Sequence, residues 1–348
     1  MAALASLGDL DRLAVDEVID VRSPSEYAED HLPGAINLPV LDDAERARVG
    51  TIYVQQDRFL ARKIGAALVA RNAAGHLEGA LADRDGGWRP LVYCWRGGQR
   101  SASFAAILRE IGWRVELLEG GYRSYRRLVV AALYDTPLRH PLVLIDGMTG
   151  TGKTEMLAAL EQAGAQTLDL ERMAAHRGSI FGARPGGQPP QKLFETRLAQ
   201  ALARFDPGRP VFVEAESARI GARILPPALW SAMKQAPHVR LEAPIAARAA
   251  YLLRAYGDLS ADPDALHAAL ARLAPYHARS RIAEWQALAR KGAGADLARA
   301  LMEAHYDPRY AKSARARGAP CAVVPLATLE GDEIAAGAAR ILAACAAR

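Results

Sequence analysis

Short apolar runs alternate with longer amphipathic stretches along the whole chain. The runs EVIDVR, PLVY and VELLEGG in the first part, and LVLIDG, PVFVE and HVRLEAP further on, have the length of buried strands. Between them, stretches such as residues 57–72, 101–112 and 153–163 repeat their apolar positions with helical spacing. This alternation predicts α/β architecture in both halves of the chain.

Two prolines in DTPLRHP separate the two series of strands and helices. We therefore expect one domain over residues 1–137 and a second over 138–348. The Gly/Pro-rich stretch 182–191 is predicted to be a loop and not a linker between domains, because sequence motifs flank it closely on both sides. The last part of the chain is predicted to be helical, with helices over 190–204, 244–256, 264–290, 294–305 and 331–346.

Composition narrows the class of protein. Of 348 residues, 51% are hydrophobic and 24% charged, as in a globular protein with a large core, and no apolar run is long enough to span a bilayer. Three scattered cysteines and an acidic N-terminus without a basic leader favour a reducing cytoplasm over secretion. The formal charge is −2 over residues 1–137 and +7 over 138–348, which favours a polyanionic partner for the second domain.

The segment GMTGTGKT follows an apolar strand and precedes a helical stretch, as the phosphate-binding loop (P-loop) motif requires. Its glycines let successive backbone N–H groups point at phosphate oxygens, its lysine supplies a positive charge, and its last threonine offers a hydroxyl to Mg²⁺. The predicted phosphate-binding residues are Gly147, Thr149, Gly150, Thr151, Gly152, Lys153 and Thr154. The motif predicts binding of a diphosphate or triphosphate and leaves open whether anything is hydrolysed.

A P-loop protein usually orders its metal ion with an acidic residue on a neighbouring strand. PVFVEAES provides Glu214 at the end of a predicted strand and Glu216 just beyond it. We expect Glu214, with Thr154, to hold Mg²⁺ or to position water. The Asn/Thr-Lys-x-Asp guanine signature is missing from the sequence, which disfavours a GTP switch.

A cysteine enters a second glycine-rich loop in YCWRGGQRS. Because this loop follows a strand and precedes a helix, the amides of residues 96–101 can converge on an anion above the Cys94 sulfur. Those amides, the helix dipole, Arg96 and Arg100 should lower the thiol pKa and favour the thiolate. Such a loop is compatible with holding an anion, attacking a phosphate or carrying sulfur.

The context of this loop resembles a rhodanese domain. IDVRSPSEYAEDHLPGAINLPV (19–40) is similar to the opening of that fold, and LLEGGY to the strand and glycine pair that close it. In rhodaneses the loop cysteine carries sulfane sulfur. Here five residues separate Cys94 from Arg100, one more than in most sulfurtransferases, and the longer loop has room for a tetrahedral oxyanion such as selenophosphate.

A rhodanese-like domain followed by a P-loop domain resembles the bacterial tRNA 2-selenouridine synthase family, and the similarity covers nearly the whole chain. The most specific segments that carry it are DLERMAAHRGSIFG (169–182) and EAHYDPRY (303–310), beside CWRGGQRS, EGGYRSYRR, GMTGTGKT and FVEAESARIG. The resemblance implies a cytoplasmic transferase with no membrane association that acts on wobble 2-thiouridine of tRNA. It implies geranyl transfer from geranyl diphosphate to the sulfur, and then replacement of the S-geranyl group by selenium from selenophosphate.

From this resemblance we infer that the P-loop cradles the diphosphate of geranyl diphosphate, with Mg²⁺ on the leaving pyrophosphate. Cys94 would be the thiolate of the selenium site, with Arg96 and Arg100 binding selenophosphate oxygens. Near the P-loop, Arg177 is a predicted phosphate contact and His176 a candidate general acid or base, although a capping or core role for His176 is equally compatible.

The predicted surface for tRNA is the helical region 244–305 with its basic residues. Tyr306 and Tyr310 either stack on the anticodon loop or anchor the last helices. The alternatives are a P-loop kinase or NTPase with a rhodanese-like module, a phosphatase, and a non-catalytic tRNA-binding sulfur-relay protein. None of these alternatives accounts for HRGSIFG and HYDPRY.

Overall fold

A computed structural model describes residues 1–346, apart from the side chains at 313, 315 and 316. The chain forms two compact units. Unit 1 comprises residues 1–137 and 189–204, and unit 2 comprises residues 138–188 and 205–348. The chain thus changes unit inside the Gly/Pro-rich stretch 182–191, which does connect units, whereas the sequence pattern predicted only a loop.

Unit 1 is built on a parallel four-stranded sheet in the order β2-β1-β3-β4. Its strands are β1 (Glu17–Asp20), β2 (Ile36–Asn37), β3 (Pro90–Tyr93) and β4 (Glu116–Leu117). Its helices are a 3₁₀ turn (Leu7–Arg12), α1 (Pro24–Glu29), α2 (Asp43–Gln55), α3 (Arg58–Glu78), α4 (Gln99–Glu110), α5 (Tyr122–Val130) and a π turn (Ala131–Asp135). Every residue of β3 is buried, so its carboxyl end delivers Cys94 from the middle of the core.

One helix of unit 1, residues 191–204, lies far away in the sequence and was predicted in the second domain. Buried polar contacts hold it in place. Thr196 donates a hydrogen bond of 2.9 Å to the carboxylate of Asp30, and Arg126 forms an ion pair with Glu195. At the end of the helix, Arg204 bonds to Asp11.

Unit 2 contains a parallel five-stranded sheet in the order β11-β10-β5-β7-β6. Its strands are β5 (Leu142–Gly147), β6 (Gln166–Leu168), β7 (Val211–Glu214), β10 (His238–Glu242) and β11 (Ala322–Pro325), with an antiparallel pair of short strands, β8 (Arg219–Ile220) and β9 (Arg223–Ile224), outside the sheet. After β7 the chain crosses to the other side of β5. Ligands of open α/β sheets bind at the carboxyl end of such a switch point, where the P-loop lies.

The helices after residue 137 are mostly in unit 2, and the one over residues 191–204 belongs to unit 1. They are α6 (Lys153–Gln162), α7 (Leu170–Met173), α8 (Gln191–Arg204, in unit 1), α9 (Pro227–Gln235), α10 (Ile245–Ala255), α11 (Gly257–Ser260), α12 (Pro263–Ala271), α13 (Arg279–Arg290), α14 (Gly294–Leu301), a π turn (Met302–Tyr306), α15 (Asp307–Arg317) and α16 (Gly331–Ala346). The predicted fold class, two α/β regions followed by a helical C-terminal region, is confirmed.

Two local predictions are wrong. The single helix predicted over 264–290 is two helices, because Pro275 has no N–H to donate and disfavours helical geometry in the residue before it. The predicted turn at His305 is a π turn that runs directly into α15, so Pro308 lies two residues after the π turn within a continuous helical stretch. In the described part of the chain, no helix is long and apolar enough to cross a membrane.

Candidate functional site

Two groups of the Cys94 loop lie within hydrogen-bond distance of the Cys94 sulfur. The Gly98 amide lies 3.3 Å from Sγ and the Ser101 hydroxyl lies 3.2 Å from it. Burial of Cys94, which is 3% exposed, raises the thiol pKa. The Ser101 hydroxyl, the backbone amides of Ser101 and Arg96, and the charge of Arg100 oppose this effect, and the net pKa lies below its usual value. The loop therefore favours a thiolate.

A second segment braces this loop. Tyr122 donates its backbone N–H to the Cys94 carbonyl oxygen at 2.9 Å, and Arg123 donates to that of Trp95 at 3.1 Å. The approach is close because residue 121 is glycine: a Cβ there would lie 2.3 Å from the Cys94 carbonyl oxygen. This accounts for the glycine pair in LLEGGY.

The two arginines of the loop differ in their surroundings. Arg96 is exposed, and its backbone amide already contributes to the thiolate. Arg100 is half-buried, and its guanidinium bonds to both carboxylate oxygens of Glu26, at 2.6 and 3.2 Å. Arg100 thus acts on Cys94 by its charge, with Glu26 fixing its position.

In unit 2 the P-loop wraps around the start of α6. Gly150 and Gly152 adopt φ of +82° and +71°, which side chains disfavour, and the Lys153 ammonium donates to the Gly147 carbonyl oxygen at 3.2 Å. The loop borders a cavity of about 400 Å³, which residues 149–155, Glu214, Glu216 and Arg177 all line. The predicted residues 149–154, Glu214, Glu216 and Arg177 are therefore brought together in one place, whereas the predicted Gly147 does not line this cavity.

Sequence reasoning missed several residues of this cavity: Glu171, Arg184, Tyr251 and Tyr256. Glu171 follows β6 as Glu214 ends β7, and these strands are parallel neighbours. Since the carboxyl ends of parallel strands meet at one edge, this placement was a usable signal. Tyr251 and Tyr256 come from helices far along the chain and had none.

The carboxylates of the cavity repel one another. Burial, then Glu216, raises the pKa of Glu171 to about 8, with Lys153 opposing the rise. Burial, then Asp169, Glu171 and Glu216, raises the pKa of Glu214 well above its usual value. One oxygen of Glu214 accepts the Leu170 amide at 2.8 Å. The other is buried and has no hydrogen-bond partner among the described residues.

The unpaired carboxylate oxygen of Glu214 is a candidate ligand for a metal ion. Among the described residues no group of three or more His, Cys, Asp or Glu side chains is arranged to hold a metal ion. Mg²⁺ does not require one, because it keeps several waters and binds through one or two protein oxygens plus phosphate. Thr154 lines the same cavity as Glu214, so this pair fits Mg²⁺.

His176 does not line the cavity. Its Nδ1 accepts a hydrogen bond from the Gly178 backbone N–H at 3.2 Å. The backbone of His176 forms an antiparallel β-bridge with Ala183, which closes the HRGSIFG loop. Burial, then Arg184, Arg177 and Arg272, lowers the His176 pKa. Arg177 does reach the cavity, where it pairs with Asp258 at 2.8 Å.

A second cavity of about 250 Å³ lies beside the P-loop cavity and is mainly apolar. The two share Thr149, Leu252, Tyr256 and Tyr306 as lining residues. The rest of the second cavity is formed largely by aliphatic and aromatic side chains: Phe181, Leu253, Leu259, Leu266, Leu297, Leu301 and Met302. Unit 2 thus places an anion-binding loop next to an apolar chamber.

Arg248, predicted on the tRNA-binding surface, is buried. Its Nε donates to the Thr149 carbonyl oxygen at 2.9 Å and its guanidinium pairs with Asp307 at 2.5 Å. Arg248 thus connects Asp307 of the HYDPRY segment to the backbone of the P-loop. Tyr310 contributes to the same support, because its hydroxyl donates to Asp146 at 3.0 Å.

Comparisons with known proteins agree with this arrangement. The family described as tRNA 2-selenouridine synthase AAA domain matches residues 140–324, and the rhodanese-like domain matches residues 5–128. The tRNA 2-selenouridine synthase of Aeromonas salmonicida (strain A449) is 39% identical over 261 residues, which are 74% of this chain and 69% of that protein. That of Cupriavidus pinatubonensis is 38% identical over 259 residues, 72% of this chain and 69% of that protein.

Among solved structures, the N-terminal domain of a Clostridium difficile 630 protein is 39% identical and covers 35% of this chain and 95% of its own, with a TM-score of 0.31. The two family matches and the two relatives, which are 38% and 39% identical, carry the assignment. The chain belongs to the tRNA 2-selenouridine synthase family.

Proposed function

We propose that the protein converts wobble 2-thiouridine of tRNA to 2-selenouridine in two steps at two sites. In unit 2, geranyl diphosphate transfers its geranyl group to the sulfur. At the Cys94 loop of unit 1, selenium from selenophosphate then replaces the S-geranyl group. The activity named for the relatives supports the overall conversion, and the two sites described above support the division of labour.

The observation that carries the first step is the apolar chamber that adjoins the P-loop cavity. A nucleotide needs hydrogen-bonding groups around its base and ribose, whereas an isoprenoid diphosphate needs a polar cradle joined to an apolar pocket. Leu252, Tyr256 and Tyr306 line both cavities at the junction. A geranyl diphosphate with its diphosphate in the P-loop cavity and its chain in the apolar chamber would have its reactive C1 at the boundary between the two.

The residues of unit 2 have distinct roles in this step. The P-loop amides and Lys153 bind the diphosphate, and Thr154 with Glu214 would hold Mg²⁺. When bound, Mg²⁺ neutralises charge on the leaving pyrophosphate. The thiocarbonyl sulfur forms a bond to C1 as the C1–O bond breaks, and N3 of the uracil gives up its proton.

The S-geranyl product makes the second step chemically reasonable, because an alkylated sulfur departs as a thiol whereas a thiocarbonyl sulfur is a poor leaving group. In this step selenium bonds to C2 of the base as the C2–S bond breaks and geranylthiol leaves with a proton, and water takes up the phosphoryl group as the P–Se bond breaks, which releases phosphate. The pKa of Cys94, lowered below its usual value, favours a thiolate that would accept a proton from that water. The exposed Arg96 and the backbone amides of the loop would bind the phosphate-like oxygens of selenophosphate.

A calorimetric titration with Mg²⁺ present tests the first step. Burying a CH₂ group contributes ~0.8 kcal/mol, so geranyl diphosphate should bind at least roughly 100-fold more tightly than pyrophosphate. Lys153→Ala should weaken both ligands. Equal binding of pyrophosphate and geranyl diphosphate, or tight ATP binding that geranyl diphosphate does not displace, would contradict the proposal and favour a P-loop NTPase.

Mass spectrometry of the wobble nucleoside tests the division between sites. Folded Cys94→Ala should still form S-geranyl-2-thiouridine and should form no 2-selenouridine. Lys153→Ala should lose the S-geranyl product. Loss of both products in folded Cys94→Ala would contradict the two-site scheme.

A further inference from the structure

The break between α12 and α13 presents an aromatic ring to solvent. Pro275 interrupts the helical pattern, and Tyr276 follows it with 54% of its surface exposed. An exposed tyrosine alone is common on protein surfaces. This one is held from beneath by charged and aromatic groups.

The backing of the ring begins with Arg309, whose guanidinium carbon lies 4.1 Å from the Tyr276 ring centroid. The His305 ring lies 5.7 Å from the same centroid and is itself only 3% exposed. We call Tyr276, Arg309 and His305 the Tyr276 platform. A ring that is already packed on one face loses little conformational freedom when a ligand covers the other.

A hydrogen-bonded histidine pair fixes the platform. His277 Nε2 and His305 Nδ1 are 2.9 Å apart, and Arg309 Nη1 lies 2.6 Å from His305 Nε2. Burial, then Arg309 and His277, lowers the pKa of His305 to about 4, so the ring is neutral near pH 7. Arg309 Nη1 also lies 2.9 Å from His305 Nδ1, so Arg309 contacts both ring nitrogens of the neutral imidazole.

The surroundings of the platform are basic. Residues 272–281, RLAPYHARSR, contain three exposed arginines, Arg272, Arg279 and Arg281, and no acidic residue. Arg272 is close enough to His176 to lower its pKa, which places this charge near the HRGSIFG loop. The His305 ring packs edge-on against the ring of Tyr306, with 4.9 Å between the centroids, and Tyr306 lines both cavities, so the platform adjoins the proposed reaction site.

We propose that Tyr276, with Arg309 behind it, stacks on an unpaired base of the substrate RNA beside the uridine that enters the reaction cavity. Unpaired bases in RNA loops are bound by stacking on aromatic side chains, and nearby arginines bind the phosphates. This inference rests on the proposed function, since that function supplies the RNA. It assigns the stacking role to Tyr276, whereas Tyr306 and Tyr310, the tyrosines considered from the sequence, support the protein interior.

The test measures binding of a 2-thiouridine-containing anticodon stem-loop by fluorescence anisotropy. Stacking contributes about 1–3 kcal/mol per base, so Tyr276→Ala should weaken binding roughly 5- to 150-fold. Tyr276→Phe keeps the ring and should restore most of the affinity. Arg281→Ala should weaken binding and flatten its dependence on salt.

Tyr53→Ala is a matched control, because Tyr53 is also an exposed tyrosine, 42% exposed, with the arginine Arg58 5.4 Å from its ring. It should bind the stem-loop like the wild type. A folded Tyr276→Ala variant with wild-type RNA affinity would overturn the proposal, as would a Tyr276→Phe variant as weak as Tyr276→Ala.

Geranyl diphosphate binding separates this inference from the proposed function. Tyr276→Ala should bind geranyl diphosphate like the wild type, since the ring does not line either cavity. A wild-type protein that binds the stem-loop through Tyr276 but does not bind geranyl diphosphate would leave the platform in place and refute the proposed first step.

Discussion

Ser101→Ala is the most direct test of how the Cys94 loop creates a thiolate. The Ser101 side chain is fully buried in α4, and its hydroxyl lies 3.2 Å from Sγ and also 3.2 Å from the Gly98 carbonyl oxygen. The hydroxyl has one hydrogen, so it donates to the carbonyl when Cys94 is a thiol and to sulfur when Cys94 is a thiolate. Removing it therefore destabilises the thiolate selectively.

The magnitude follows from this switch. A hydrogen bond to a charged group contributes about 1.5–3 kcal/mol, and each pKa unit corresponds to ~1.36 kcal/mol. Because the thiol form loses its bond to the Gly98 carbonyl as well, the lower end applies, and the Cys94 pKa should rise by about one unit. Below that pKa the thiolate fraction should fall roughly tenfold.

Thiolate absorbance in the ultraviolet, followed against pH, measures this pKa, with Cys94→Ala subtracted as the blank for the other cysteines. Ser103→Ala is the matched control, since Ser103 lies in the same helix with its side chain exposed. Alanine favours helix, so neither change should disturb α4. If Ser101→Ala and Ser103→Ala titrate alike, the hydroxyl does not set the thiolate.

Two further predictions concern stability. Gly121→Ala should destabilise unit 1 by more than about 2 kcal/mol, because the new Cβ would lie 2.3 Å from the Cys94 carbonyl oxygen at a φ of +59°; urea unfolding that matches the wild type would contradict the close approach. His305 has a folded pKa of about 4, below its usual 6.5, so its contribution to stability is complete above pH 6.5 and is lost as pH falls towards 4. This contribution is roughly 3 kcal/mol at most. In thermal unfolding, the His305→Gln variant should lose less stability than the wild type between pH 6.5 and pH 4. Equal losses would show that His305 does not titrate as described.

The P-loop and the Cys94 loop were predictable because each is specified by a few consecutive residues. A strand, a glycine-rich turn and a helix N-terminus form an anion site from local sequence alone. Glu214 was predictable for a similar reason, since it ends a short apolar run that had to be a strand. The apolar chamber was not, because its walls come from helices spread between residues 252 and 306.

The placement of α8 shows a second limit. Its buried face carries Glu195, Thr196 and Gln200, which a hydrophobic pattern does not mark as core. Their partners lie in the first 137 residues of the chain, so only the folded structure shows that α8 completes unit 1. Pro275, by contrast, was a visible signal, and the long helical pattern around it outweighed that signal in the prediction.

Under the proposed function, the charge inside the P-loop cavity predicts that a diphosphate binds there together with a cation. Burial, and then repulsion from the neighbouring carboxylates, raises the pKa of Glu171 and that of Glu214. A diphosphate would add more negative charge, against which the cavity offers Lys153, Arg184 and Arg177, and Arg177 is already paired with Asp258. A divalent ion on Glu214 and Thr154 would reverse this balance, because it stabilises the ionised carboxylate and the phosphate oxygens together. Binding of Mg²⁺ and of the diphosphate should then be mutually dependent, and neither should bind tightly without the other.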